Sequence, residues 1–179
     1  MFLKSMFNIR NEGGYSLIGI VISLAIMTII TTGIMMTIDQ IYNVSSGSTN
    51  HIIAIREVQN AGHWLTLDGQ KAVTMEPAQD PDGFPLTISW DDPADNQHEV
   101  VYTLSPDNKL QRQHYTNRTI NPDPDTTTLI ALYIDLSNTS CHVSDGNELV
   151  ANITASVNID RVSYTETRTY RILPRGSLR

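Results

Sequence analysis

Apolar and polar positions along the chain fall into three regimes. Residues 17–38 carry no charged side chain. As a helix these 22 residues span about 33 Å, against a hydrocarbon core of about 30 Å. The glycines at 19 and 33 and the small residues at 16, 23, 25, 28, 31 and 32 suit close helix packing in a membrane. From residue 39 to about 69 the pattern stays helical. Ile52, Ile55, Val58 or Gln59, Gly62 and Leu65 recur at spacings of three and four, which predicts an amphipathic helix. Residues 45–50, Ser-Ser-Gly-Ser-Thr-Asn, have poor helix propensity. Two arrangements fit: one helix of about 80 Å, or two helices joined by a frayed hinge.

Beyond Asp68 the period changes. Turn clusters rich in Asp, Asn, Pro and Gly occupy residues 80–83, 91–96, 105–108, 121–125 and 144–147. Between them lie β-branched and aromatic runs at 86–90, 99–104, 110–115, 129–136, 153–159 and 165–173. Residues 100–104 and 110–115, joined by Ser-Pro-Asp-Asn-Lys, form the clearest hairpin. Helix first and strands later predict an α+β fold, a long N-terminal helix packed on an antiparallel β-sheet head.

Charge and cysteine content narrow the function. The net charge of −7 argues against nucleic acid as a partner, because phosphate binding needs a basic face. The single cysteine, Cys141, excludes an intrachain disulfide framework and reads as a buried or half-buried thiol. Lys4 and Arg10 precede the apolar run, Asp39 follows it, and the next basic residue is Arg56. By the positive-inside rule the leader stays cytoplasmic and the remainder is exported. A cleavable secretory signal fits less well. Its apolar region runs about 7–15 residues and its cut site follows that region. The small-residue sites here, 31–33 and 45–47, lie inside the run or well beyond it.

The start, MFLKSMFNIRNEGG followed by YSLIGIVISLAIMTII, resembles the class III signal of type IV pilins and type II secretion pseudopilins. Lys4 and Arg10 match the basic leader, Gly14 the residue before the cut, and Tyr15 the aromatic residue after it. The resemblance implies cleavage by a prepilin peptidase between Gly14 and Tyr15 and N-methylation of Tyr15. It makes Leu17, Ile18, Ile20, Val21, Ile22, Leu24 and Ile26 membrane and filament-packing residues. The cut precedes the apolar segment because that segment first anchors the subunit and later packs in a filament core. Gly19 departs from the pattern, since the family carries Glu at the fifth mature residue. Within the family that absence is best known in a minor pseudopilin at the filament tip.

More loosely, VVYTLSPDNKLQRQHY, through Tyr102, Leu110 and Arg112, looks like a hairpin of J-type minor pseudopilins. The ending TRTYRILPRG, through Tyr170, Arg171, Leu173, Pro174 and Arg175, looks like the last strand of the same group. The implied organisation is a leader at 1–14, a transmembrane and filament-core helix at 15–38, its amphipathic continuation at 39–69, and a β-rich head at 70–179. The implied partners are other pilins or pseudopilins, the prepilin peptidase, the inner membrane and the assembly platform. The head would lie outside the cytoplasm, in a periplasmic or cell-surface filament after assembly. Loss of the leader removes Lys4, Arg10 and Glu12, leaving 10 basic and 18 acidic residues, a net −8.

Nothing in the sequence points to catalysis or a cofactor. His51, His63, His98, His114 and His142 have no metal-ligand spacing, and no nucleophile elbow, P-loop or dinucleotide fingerprint occurs. Asp80, Asp82, Asp91, Asp92 and Asp95 read as turn residues, with calcium ligation as the alternative. Trp64 and Trp90 read as core or rim aromatics. The rival to a filament subunit is an uncleaved single-pass anchor carrying an extracytoplasmic binding or sensor domain.

Overall fold

Residues 17–69 form one α-helix, α1 (Leu17–Gly69). The computed structural model describes residues 17–78, 83–144, 147–159 and 162–174. The chain divides into two compact units, Met1–Tyr42 and Asn43–Arg179. In the first unit the described residues are those of α1 up to Tyr42, and their large apolar side chains are exposed.

In the second unit the rest of α1 packs against β-structure. Asn50, Ala54, Val58, Ala61, Leu65 and Asp68 are its buried stripe, at steps of three and four. Val58, Gly62 and Leu65 of the predicted face are buried, and the rest of the stripe is rotated from it. Ile52 and Gln59 point outward, and Ile55 is half-buried. Small side chains take the contact face instead because they let the helix sit close to the strands. The Ser-Gly-Ser segment is helical, without a hinge. It is held in place by Asn50, whose Nδ2 donates to the carbonyls of Ile159 and Val162. Tertiary contact here overrides weak local propensity.

Two antiparallel sheets follow. The first is a meander of β1 (Thr74–Pro77), β2 (Leu86–Asp91), β3 (Gln97–Ser105), β4 (Lys109–Thr116) and β5 (Thr126–Ala131), in that order. A 3-10 turn at Leu136–Asn138 leads to β6 (Ser140–Val143), β7 (Leu149–Ile159) and β8 (Val162–Ile172), which form the second sheet. The expected hairpin is present, with Leu104 opposite Leu110 and Ser105 opposite Lys109. Asn108 supplies the positive φ of 59° that its turn requires. The predicted run at 129–136 is strand only to Ala131. Tyr133 takes φ 59°, and Ile134 bridges to Ala155 of the other sheet. The four-residue strands β1 and β6 are absent from the sequence reading because they are too short to show alternation.

The core lies where α1 meets both sheets. Val58 and Leu65, Leu86, Ile88, Val100 and Leu110, and Leu149, Ile153 and Val157 are fully buried. Gly62 makes the close approach possible. A Cβ there would lie inside the ring of Tyr170, whose hydroxyl donates to the Val58 carbonyl at 3.0 Å. Gly62→Ala is expected to lower unfolding free energy by about 2 kcal/mol through overpacking. Gly47 has only ordinary contact space, 3.5 Å to Val162. Gly47→Ala is expected to stabilise by up to about 1 kcal/mol, the helix-propensity gain. Urea titration of the two variants reads the opposite signs.

Candidate functional site

Three arrangements of side chains bear on function. The first is the apolar half of α1. Its mean hydropathy reaches 2.4 over an 18-residue window in which nothing is buried, and the helix is long and apolar enough to cross a membrane. Leu17, Ile18, Ile20, Val21, Ile22, Leu24 and Ile26 are all exposed. Together they cover more than one face of the helix, unlike the single stripe of a helix lying on a soluble core. Each hydroxyl in the segment is satisfied by its own helix. Ser23 donates to the Gly19 carbonyl, Thr28 to Ala25, Thr31 to Met27, Thr32 to Thr28 and Thr37 to Gly33, at 2.7–2.9 Å. Such back-bonding leaves no polar atom seeking water, as a hydrocarbon surrounding requires. Gly19 has open space where a Cβ would stand, so no contact within the described residues demands glycine there. Gly14, Tyr15 and Arg175 lie outside the described residues.

The second arrangement fixes the end of α1 to the β3–β4 hairpin. Asp68, in the last turn, is almost fully buried. Arg112 grips it with two bonds, Nε to Oδ2 at 2.7 Å and Nη2 to Oδ1 at 2.9 Å. Tyr102, directly opposite Arg112 across the hairpin, donates its hydroxyl to Oδ2 at 2.6 Å. The guanidinium also lies 5.0 Å from the centroid of the Trp64 ring, a cation–π contact from the preceding turn of α1. An acid at a helix C-terminus meets the negative end of the dipole, so Asp68 depends on this cation. Burial alone would lower the Arg112 pKa, but the hydrogen bonds and charge of Asp68 outweigh it and the net shift is upward. Burial, then the Asp68 charge, raises the Tyr102 pKa far above the phenol's ordinary value, so the hydroxyl remains a donor. The hairpin residues Tyr102 and Arg112 thus meet at one carboxylate. The sequence reading missed Asp68, which lies 34 and 44 residues from its partners. An acid in the last turn of a predicted helix was the available signal.

The third is a cluster of three rings on β2, β3 and β4. Trp90, His98 and His114 form a triangle of near-parallel rings, with centroids 5.4 Å (Trp90–His98), 5.3 Å (His98–His114) and 6.1 Å (Trp90–His114) apart. His98 Nδ1 lies 3.2 Å from His114 Nε2, Asp92 Oδ2 lies 3.4 Å from His98 Nε2, and Asp125 Oδ2 lies 3.8 Å from His114 Nδ1. Asp92 serves its own turn. It accepts from the backbone of Ala94 and Asn96, and the Asn96 bonds hold its pKa down to about 2. No group of three or more His, Cys, Asp or Glu among the described residues is arranged to hold a metal. The pKa of His114 is lowered, first by burial and then by the charges of Arg112 and His98. A lowered base favours the neutral folded form. Its contribution is complete above the ordinary value of about 6.5 and is lost as pH falls through the lower folded value. Stability is therefore expected to fall on acidification below about 6.5, and His114→Gln should flatten that slope in urea titrations at successive pH values. Elsewhere, Cys141 is buried and donates to the Gly83 carbonyl at 3.0 Å, and burial pushes its thiol up to about 12. It is an unreactive thiol.

The class is an α+β protein, with a long N-terminal helix packed by its C-terminal part on antiparallel sheet, a layout consistent with the pilin-like fold. Comparison with known proteins finds no family model, no curated protein and no solved structure that matches the chain.

Proposed function

We propose that the chain is a minor pilin or pseudopilin, a structural subunit of a type IV pilus or type II secretion pseudopilus. It is cut between Gly14 and Tyr15, methylated at Tyr15, and drawn from the inner membrane into a filament or its tip. The observation that carries this reading is the apolar segment, exposed on all sides with its hydroxyls internally bonded, directly after a Gly-Tyr junction behind a basic leader. A single anchor needs apolar length alone. A filament subunit must present that length first to lipid and then to neighbouring helices. Its mechanism is assembly without catalysis: apolar helices pack side by side and the β-rich heads set contacts between neighbours. Gly19 supports a tip-proximal place, where no neighbouring amine needs the family's carboxylate.

Gly19 also favours a second reading, an uncleaved anchor that holds its head outside the membrane and never polymerises. Fractionation separates the two. A filament subunit is recovered by mass spectrometry in purified filaments together with other pilin-class chains. A fixed anchor is found only with the membrane.

A further inference from the structure

We propose that His98 and His114 bind one borderline divalent metal ion, of the zinc and copper(II) class, between the facing edges of their rings. The site uses head residues alone and does not rest on the filament reading.

The two histidines come from neighbouring strands, which is why spacing along the chain does not show them as a pair. Val100 lies opposite His114 in the β3–β4 register, so His98 and His114 are diagonal neighbours. Their ring planes are within 11° of each other and the ring centres are 5.3 Å apart. His98 Nδ1 and His114 Nε2 are much closer, at 3.2 Å, so the rings meet edge to edge with these two nitrogens facing. Zinc takes imidazole nitrogen at about 2.0–2.1 Å. At that distance from both nitrogens, one ion subtends an angle of about 100–106°, close to the tetrahedral value of about 109°.

The outer nitrogens decide what the facing pair offers. Asp92 Oδ2 lies 3.4 Å from His98 Nε2, and Asp125 Oδ2 lies 3.8 Å from His114 Nδ1. Each carboxylate draws the single N–H of its neutral ring outward, so both facing nitrogens present lone pairs. The row Asp92, His98, His114, Asp125 has three gaps, and two neutral rings carry only two N–H groups. A metal ion fills the central gap with two bonds and leaves both outer N–H groups on their carboxylates. Carboxylates placed behind histidine ligands in this way orient the rings and raise their basicity. Burial, then the charge of Arg112, lowers the His114 pKa, which keeps that ring neutral and able to ligate. The two carboxylates offset the charge of the ion, while Arg112 is committed to Asp68. Solvent reaches the pair, whose side chains are 19% and 22% exposed, and water completes the coordination. Thr116 Oγ1, 3.5 Å from His98 Nδ1, lies beside the same position. Two protein ligands make an open site, unlike the closed four-ligand set of a structural zinc centre.

The test is calorimetric titration of the full-length chain in detergent at neutral pH, with zinc chloride and then with copper(II) chloride. One saturable ion per chain is expected, with copper bound more tightly than zinc. His98→Gln and His114→Gln should each weaken binding at least tenfold. Asp125→Asn should weaken it by about tenfold, the effect of removing a carboxylate behind a histidine ligand. Replacing the other three histidines, His51, His63 and His142, by Gln should leave binding unchanged. With less than one equivalent of copper, the electron paramagnetic resonance spectrum should show splitting from two imidazole nitrogens. Urea unfolding without metal checks that each variant folds. Asp125 is exposed, so Asp125→Asn keeps the test readable if a histidine variant does not fold. No saturable binding, equal affinity in His98→Gln and His114→Gln, or loss of binding when the other three histidines are replaced would overturn the proposal.

Discussion

Arg112→Ala is expected to destabilise the Asn43–Arg179 unit by about 3–5 kcal/mol, the range for removing one partner of a buried ion pair. The loss is large because three groups meet at one carboxylate. Asp68 keeps its burial and loses both guanidinium bonds, while Tyr102 alone still donates to it. Trp64 also loses the cation over its ring. Asp68→Ala should cost a similar amount, leaving the guanidinium buried without its counter-ion. Tyr102→Phe should cost less, about 1–2 kcal/mol, since the carboxylate keeps two donors. Arg112→Lys keeps the charge but not the fork and should fall between these values. The pair Asp68→Leu with Arg112→Met should recover most of the stability, because apolar replacement removes the charge burial altogether. Urea unfolding of the full chain in detergent, followed by tryptophan fluorescence, reads all five.

For the filament subunit proposed above, Ile22→Glu is expected to remove the chain from filaments while leaving its head folded. The side chain is exposed in the apolar segment and touches no core, so urea stability of the head should not change. Residue 22 lies about a quarter of the way into the segment, so a carboxylate there costs less than the about 3 kcal/mol it would cost at the helix centre. The remaining apolar residues retain the segment in the bilayer against that cost. Packing between helices is less forgiving, because a charge there has no partner and no water. The filament fraction should drop at least tenfold and the membrane fraction should persist. Ile22→Leu, which preserves apolar volume, should leave both unchanged. Equal incorporation of Ile22→Glu would mean that this segment does not pack against other helices.

What the sequence makes legible is what local pattern determines. An uninterrupted apolar run announces itself by length, and the β3–β4 hairpin by its Ser-Pro-Asp-Asn turn between alternating strands. Turn residues at regular intervals foretell the antiparallel β-structure. They do not foretell its division into two sheets, which turns on the left-handed backbone at Tyr133 and one bridge from Ile134 to Ala155. The helix face is only partly legible for a related reason. Val58, Gly62 and Leu65 of the expected face are buried, but counting large apolar residues also favours Ile52, whereas contact with the β7–β8 turn selects Asn50. Asn50 and Asp68 look like surface residues until strands more than thirty positions away supply their partners. The candidate site is half legible on the same grounds. Tyr102 and Arg112 stand out within one hairpin, and the carboxylate that unites them belongs to another element.

The most direct measurement is the N-terminus of the membrane-extracted chain, by intact mass and N-terminal sequencing, from cells with and without prepilin peptidase. A processed pilin-class subunit begins at methylated Tyr15 when the peptidase is present and at Met1 when it is absent. Retention of Met1 in both strains would contradict that reading and leave a fixed single-pass anchor carrying a β-rich head.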